Sequence, residues 1–216
     1  MIAVVDYGRG NLGSVQKALQ GGREPVVVTE DWRVVERATT VVVPGDGAFA
    51  DCMATLERLS LVEPLRAHIA ADRPFLGICL GYQVLFTESE EFGHTKGLGV
   101  LPGIVRRFPP GERVPHMGWN RLEHDGTLPV LAGVPSGTHF YFVHSYYPTG
   151  EAVTPAVPGD APSWGIATCR YGVIFPALVR RGRLVGPQVH PEKSQGWGLR
   201  LLANFARLAA GDDPGA

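Results

Sequence analysis

Phe75-Leu76-Gly77-Ile78-Cys79-Leu80-Gly81-Tyr82-Gln83 is the stretch whose reading decides the fold of this chain. It is apolar up to a cysteine with a glycine two residues away on each side, then turns amphipathic. Small residues at those places let the backbone reverse sharply between a strand and a helix, so that the side chain at the apex stands exposed. That is the pattern of a nucleophile elbow, with sulfur in place of a serine hydroxyl. A helix beginning beneath the sulfur favours a thiolate through its N-terminal amides and dipole. The competing reading is a buried cysteine in a plain strand–turn–helix. A base elsewhere in the chain is needed to choose between them.

Upstream of the elbow, apolar strands alternate with helical periodicity. Ile2–Val5 ends in the loop Asp6-Tyr7-Gly8-Arg9-Gly10-Asn11, and a helix through Leu12, Val15, Ala18 and Leu19 stops at Gly21-Gly22. Val26–Val28 reads as a second buried strand, Trp32–Ala38 as a short helix, and Thr40–Val43 as a third strand broken by Pro44-Gly45-Asp46-Gly47. Helices follow through Met53, Leu56 and Leu59 and over Val62–Ala70, then Pro74–Ile78 feeds the elbow. This alternation predicts a doubly wound, mostly parallel sheet flanked by helices. Functional loops of such sheets gather at the carboxyl ends of the strands. Residues 6–11, 44–47 and 77–81 are therefore expected together.

Beyond about residue 98 the texture changes to short strands separated by Pro and Gly. Val100–Phe108, Arg113–Leu122, His139–Val143, Gly165–Arg170, Val173–Val179 and Leu184–Val189 fit this pattern, with 148–163 a surface loop and a closing helix through Leu199, Leu202, Phe205 and Leu208. The expectation is one α/β domain over residues 1–210, with additional antiparallel strands in its second half, and a frayed tail over 211–216.

Composition narrows the function classes. With 44% hydrophobic and 19% charged residues and a formal charge of −1, nothing favours nucleic acid or a membrane surface. Cys52, Cys79 and Cys169 are odd in number and widely spaced, and no CxxC pair suggests a metal. No cofactor is expected either. Met1–Asp6 enters a strand without a basic leader, and no apolar run approaches the ~20 residues of a bilayer span. The chain reads as cytoplasmic and soluble.

A thiol nucleophile needs a base, and the base an orienting group. Of seven histidines, His190 ends an apolar strand in Val189-His190-Pro191-Glu192-Lys193-Ser194. Two residues apart in an extended segment favoured by Pro191, His190 and Glu192 project to the same side. The carboxylate would raise the basicity of the imidazole and fix its tautomer. A surface His-x-Glu pair is the plainer alternative. Together with the elbow, Cys79–His190–Glu192 is the preferred reading. A developing oxyanion needs donors: Leu80 N–H is one candidate, and the Gly45-Asp46-Gly47 turn, otherwise a simple βα connection, could present another.

With these residues in view the chain resembles the class I (triad) glutamine amidotransferases, on Gly77–Gln83 and on His190-Pro191-Glu192-Lys193-Ser194. Within them it is similar to the glutaminase subunits of imidazole glycerol phosphate synthase. Asp6–Leu12, Pro115-His116-Met117-Gly118-Trp119-Asn120 and Tyr141-Phe142-Val143-His144-Ser145-Tyr146 carry that narrower likeness, in order from residue 1 to about 208. Tyr82 replaces the family's usual methionine and Val189 its usual phenylalanine.

The resemblance implies attack by Cys79 on the side-chain amide of L-glutamine, with His190 and Glu192 assisting. A γ-glutamyl thioester is then hydrolysed to glutamate, and ammonia is channelled into a (β/α)₈ cyclase partner that makes imidazole glycerol phosphate in histidine biosynthesis. It further implies that Gly47, Gln83, Glu91, Ser145 and Tyr146 hold glutamine, and that Asn11, Trp119, Asn120 and Lys193 face the cyclase in a heterodimer. His68, His94 and His124 receive no role. Three alternatives stand beside this reading: a triad amidotransferase serving pyridoxal phosphate or anthranilate synthesis, a stand-alone γ-glutamyl cysteine hydrolase, and a scaffold subunit with a dead site.

Overall fold

The computed structural model describes residues 1–20, 24–149 and 164–212. In chain order the first half runs β1 (Ile2–Val5), α1 (Leu12–Leu19), β2 (Val26–Thr29), α2 (Trp32–Arg37), β3 (Thr40–Val43), α3 (Phe49–Arg58), α4 (Val62–Ala70), β4 (Phe75–Gly77) and α5 (Leu80–Gln83). Next come β5 (Phe86–Ser89), β6 (Thr95–Lys96), β7 (Leu101–Arg107), β8 (His116–Leu122), β9 (Thr138–His144) and β10 (Tyr146–Thr149). The chain closes with β11 (Trp164–Tyr171), β12 (Val173–Arg181), β13 (Leu184–Pro187) and α6 (Gln195–Ala210). The Gly21-Gly22 stop, most of the 148–163 loop and residues 213–216 of the expected tail lie outside the described residues.

Seven strands form the central sheet in the order β11-β12-β13-β4-β3-β1-β2. β13, β4, β3, β1 and β2 are parallel, and β12 and β11 add an antiparallel edge. The α/β, mostly parallel expectation therefore holds, as do the antiparallel additions. Strand alternation sorts the core into two layers. Ile2, Val4, Val42 and Leu76 pack with Val15, Leu19, Leu201 and Phe205 of α1 and α6. Ala3, Val5, Val41, Val43 and Phe75 pack with Val35, Leu56 and Leu65 of α2, α3 and α4. Burying both faces demands the unbroken apolar runs seen in the sequence.

Two local expectations are corrected. Val26–Val28 is an edge strand bonded only to β1, and half-exposed rather than buried. The helix after Cys79 is a single, fully buried turn, not an amphipathic helix. It ends at Gln83 because the chain at once returns to the second sheet, β10-β7-β5-β6, where β5, β6 and β10 carry no alternation clear enough to read in sequence. At the end of α6, Gly211 takes a left-handed φ of 91°, and the amides of Gly211 and Asp212 bond back to the helix.

Among the described residues no helix is long and apolar enough to cross a membrane.

Candidate active site

The sheet order explains how residues 109 positions apart in sequence become neighbours. β13 lies parallel against β4, with Leu184 opposite Phe75 and Val185 opposite Leu76. The pairing continues into the elbow, where Cys79 N–H donates to Pro187 O at 2.8 Å and Ile78 N–H to Val43 O at 2.9 Å. His190 therefore emerges beside the sulfur.

Cys79 itself takes φ 52° and ψ −102°, a sparsely populated conformation for a side-chain-bearing residue that costs about 1–3 kcal/mol. The tightness of the turn accounts for the following glycine: a Cβ on Gly81 would run into the carbonyl oxygen of Val43. Cys79 is only 5% exposed. Its Sγ lies 3.9 Å from Val143 O and accepts from Gln188 Nε2 at 3.5 Å.

His190 Nδ1 and Glu192 Oε1 are 2.9 Å apart, both side chains being 4% exposed. Their closeness comes from a 3₁₀ turn over Pro191–Lys193, not from the extended segment expected in the sequence. Proline suits the first position of a helical turn, where its missing N–H costs nothing. Ser194 locks the turn by donating through Oγ to His190 O at 2.7 Å while accepting Tyr141 N–H at 2.9 Å. Burial works against the imidazolium, but the Cys79 sulfur and the Glu192 carboxylate outweigh it and hold the His190 pKa well above its ordinary value. With Nδ1 committed to Glu192, Nε2 is buried without a hydrogen-bond partner. It is close enough to the sulfur to feel its charge, yet not in hydrogen-bonding geometry. Such loose contacts are common before substrate binds.

A cavity of about 230 Å³ opens over the sulfur, lined by Asp46, Gly47, Cys79, Leu80, Gln83, Glu91, Pro115, Val143, His144, Ser145 and Tyr146. The expected residues Gly47, Gln83, Glu91, Ser145 and Tyr146 thus share one pocket with the cysteine. Glu91 Oε2 accepts the Phe49 N–H at 2.7 Å, and burial raises its pKa. Gln83 donates through Nε2 to Tyr146 O at 2.8 Å and to Gln188 Oε1 at 3.0 Å. Gly45, Asp46 and Gly47 form the turn after β3, whose amides make no hydrogen bond among the described residues. Gly47 holds φ 100°.

The remaining expected residues lie on an adjoining surface. Asn11 caps α1, accepting Ser14 N–H at 3.4 Å. α1 packs against the Pro191–Lys193 turn, on which Lys193 is exposed. Trp119 is 46% exposed on the outer face of the β8–β9 hairpin, edge-on to Tyr141. Asn120 points inward instead. Its Nδ2 donates to His116 Nε2 and to Arg170 O, each at 3.1 Å, and its Oδ1 accepts Arg121 N–H. Tyr82 and Val189 fit their sites: both are fully buried, and the Tyr82 hydroxyl donates to Pro176 O at 3.2 Å.

Two features escaped sequence reasoning. Gln188 is wholly buried beside the sulfur, and a glutamine inside the apolar run Leu184–Val189 was the available signal. The other is the His116–His144 pair, 3.1 Å apart, of which His144 lines the cavity. Burial lowers the two pKa values to about 4 and about 3, so both rings are neutral near pH 7.

A thiol, a carboxylate-oriented imidazole and spare backbone amides around one small pocket are the equipment of acyl transfer. Similarity to known proteins agrees with this geometry. The family model for glutamine amidotransferase class-I matches residues 3–208. Relatives named imidazole glycerol phosphate synthase subunit HisH are similar along almost the whole chain. That of Syntrophotalea carbinolica is 50% identical over 215 residues, covering 96% of this chain and 100% of the relative. That of Desulfitobacterium hafniense is 48% identical over 207 residues, covering 96% and 94%. A crystal structure of a glutamine amidotransferase superposes with a TM-score of 0.71 at 22% identity, covering 97% of this chain and 100% of that one, a likeness of fold. Site geometry, family match and near-complete relatives agree, and the chain belongs to the class-I glutamine amidotransferase family, in the HisH group of imidazole glycerol phosphate synthase subunits.

Proposed function

We propose that Cys79, His190 and Glu192 hydrolyse the side-chain amide of L-glutamine, and that the ammonia passes to a cyclase subunit docked on this chain. The observation that carries the reading is the buried His190–Glu192 pair, with one imidazole nitrogen left bare beside a strained, pocket-facing cysteine. Cys79 Sγ attacks the side-chain carbonyl carbon as a thiolate. The resulting oxyanion is met by Leu80 N–H and an amide of the Gly45–Gly47 turn, each well-placed donor contributing about 3–4 kcal/mol. The C–N bond breaks as protonated His190 hands its proton to the leaving nitrogen. Water, deprotonated by the same imidazole, then cleaves the thioester and releases glutamate. Glu192 keeps the ring in the tautomer both steps require.

Pocket chemistry suits the substrate: Glu91 pairs with the α-ammonium, while Gln83, Ser145, Tyr146 and the Gly47 backbone meet the remaining polar groups. Free thiols throughout suit a reducing cytoplasm. Asn11, Trp119, Asn120 and Lys193 are proposed to face the cyclase, Asn120 being half-buried and bonded to His116 and Arg170. Trp119 and Trp197 also flank a cleft of about 360 Å³ on this side, and exposed tryptophans are common binding anchors.

The test is glutaminase activity of the purified chain alone, with cyclase, and with cyclase plus its nucleotide substrate. Weak turnover alone and strong stimulation by the loaded partner is the expected result. Full turnover by the isolated chain would instead favour a stand-alone hydrolase.

A further inference from the structure

The single turn of α5 leaves the sulfur with little help from a helix dipole, because peptide dipoles accumulate only over several turns. Another donor is aimed at it. Gln188 has no exposed surface, its backbone N–H is bonded to Ala177 O at 2.8 Å, and its Nε2 lies 3.5 Å from Cys79 Sγ.

The orientation of this amide follows from its neighbours. Tyr146 O is only an acceptor and receives Gln83 Nε2 at 2.8 Å and His144 Nδ1 at 2.7 Å. Gln83 must therefore turn its NH₂ inward, and the same nitrogen meets Gln188 at 3.0 Å. The Gln188 atom facing it is then Oε1, which leaves the NH₂ of Gln188 toward sulfur. The polarity continues outward. With Nδ1–H of neutral His144 spent on Tyr146 O, its Nε2 accepts from His116 Nδ1, and His116 Nε2 accepts from Asn120. Every link has one allowed direction.

We infer that Gln188 is a further catalytic residue, a fixed hydrogen-bond donor to the Cys79 sulfur that holds it as thiolate and is aimed by Gln83. The inference rests on Cys79 being the nucleophile. The resting thiol can give its proton toward Val143 O; the thiolate has Gln188 as its neutral side-chain donor. The titratable groups around the sulfur are His190 and Glu192 after β13, Asp46 after β3, Tyr7 after β1, neutral His144 at the end of β9, Tyr146 at the start of β10 and Glu91 across the cavity. Of these only protonated His190 favours the thiolate. A hydrogen bond to the charged form favours that form, and removing the donor withdraws that support.

The experiment is the pH dependence of Cys79 alkylation by iodoacetamide, in the full chain carrying Gln188→Met or Gln188→Asn. Methionine keeps the volume without a donor, and asparagine keeps the amide but is one methylene short of the sulfur. Cys52 and Cys169 are buried, and the alkylated peptide is identified by mass. The expected result is an alkylation profile displaced to higher pH, with the reaction at pH 7 slowed several-fold relative to the wild-type chain. Glutamine turnover should fall in kcat with KM little changed. A folded variant of either kind that titrates with the wild-type chain overturns the inference. Failure of both to fold, by circular dichroism, also overturns it, assigning Gln188 to packing. Alkylation reads the sulfur whether or not it is the nucleophile, and Cys79→Ala tests that reading separately.

Discussion

The turns that follow β3 and β4 stand side by side, are both rich in glycine, and are held in opposite ways. In the elbow, Ile78 and Cys79 are bonded to flanking strands, and Gly81, Tyr82 and Gln83 bond back within the turn. The Pro44–Gly47 turn has no such ties. Gly45 is wedged between Tyr7, Leu80 and Gly81, Asp46 and Gly47 are exposed, and the three amides are unspent. One loop is built to keep a strained nucleophile in place. The other is placed by packing alone, so its peptides can rotate without breaking a hydrogen bond. In the proposed mechanism the nucleophile is thus prepared in advance, and the oxyanion donors are the adjustable half of the site.

Breaking the rigid half should produce the largest effect. Cys79→Ala is expected to lower glutamate release by about 10⁴-fold or more, with an unchanged circular dichroism spectrum; appreciable turnover in that variant would remove Cys79 from the chemistry. Disturbing the adjustable half should cost less. At Gly47, φ 100° disfavours a side chain, and Gly47→Ala should reduce kcat by roughly 10–100-fold, less than the about 10²–10³-fold lost when an oxyanion donor is removed outright. A variant as active as the parent in the presence of the cyclase would place the donors elsewhere.

The smallest effect concerns three buried histidines, of which only His144 lines the cavity. Burial holds His68 and His116 at pKa values of about 4 and His144 at about 3, below the unfolded value near 6.5. Between those values the unfolded chain binds protons that the folded chain refuses. The associated stability is complete above pH 6.5 and is lost as pH falls toward 4. His190 acts oppositely: its raised pKa contributes stability that is complete below 6.5 and lost at higher pH. Melting temperatures measured from pH 7 to 4 should fall steadily; a flat profile would mean these histidines are solvated in solution.

Much of this was legible in the chain. Unbroken apolar runs such as Thr40–Val43 announced a two-faced parallel sheet, the glycine bracket announced the elbow, and His190-Pro191-Glu192 announced an oriented base. The limits are equally specific. Val26–Val28 is as apolar as an interior strand, so its edge position could not be read from composition. The His190–Glu192 contact was expected for the wrong geometric reason, because the spacing alone does not separate an extended segment from a 3₁₀ turn. Asn120 is half-buried, and nothing in sequence says that His116 and Arg170 will claim its amide.

Sequence by itself determined which groups are proposed to carry the chemistry, because reactivity belongs to side-chain type and turn shape to the local pattern of small residues. Tertiary structure alone decided how those groups act. Only the pairing of β13 with β4 puts Gln188 and His190 beside Cys79, since contacts across 109 residues depend on strand order and register. Only packing against the β1 loop and the elbow leaves the amides of residues 45–47 unspent over the same sulfur, since a hydrogen bond not made is a property of the whole fold.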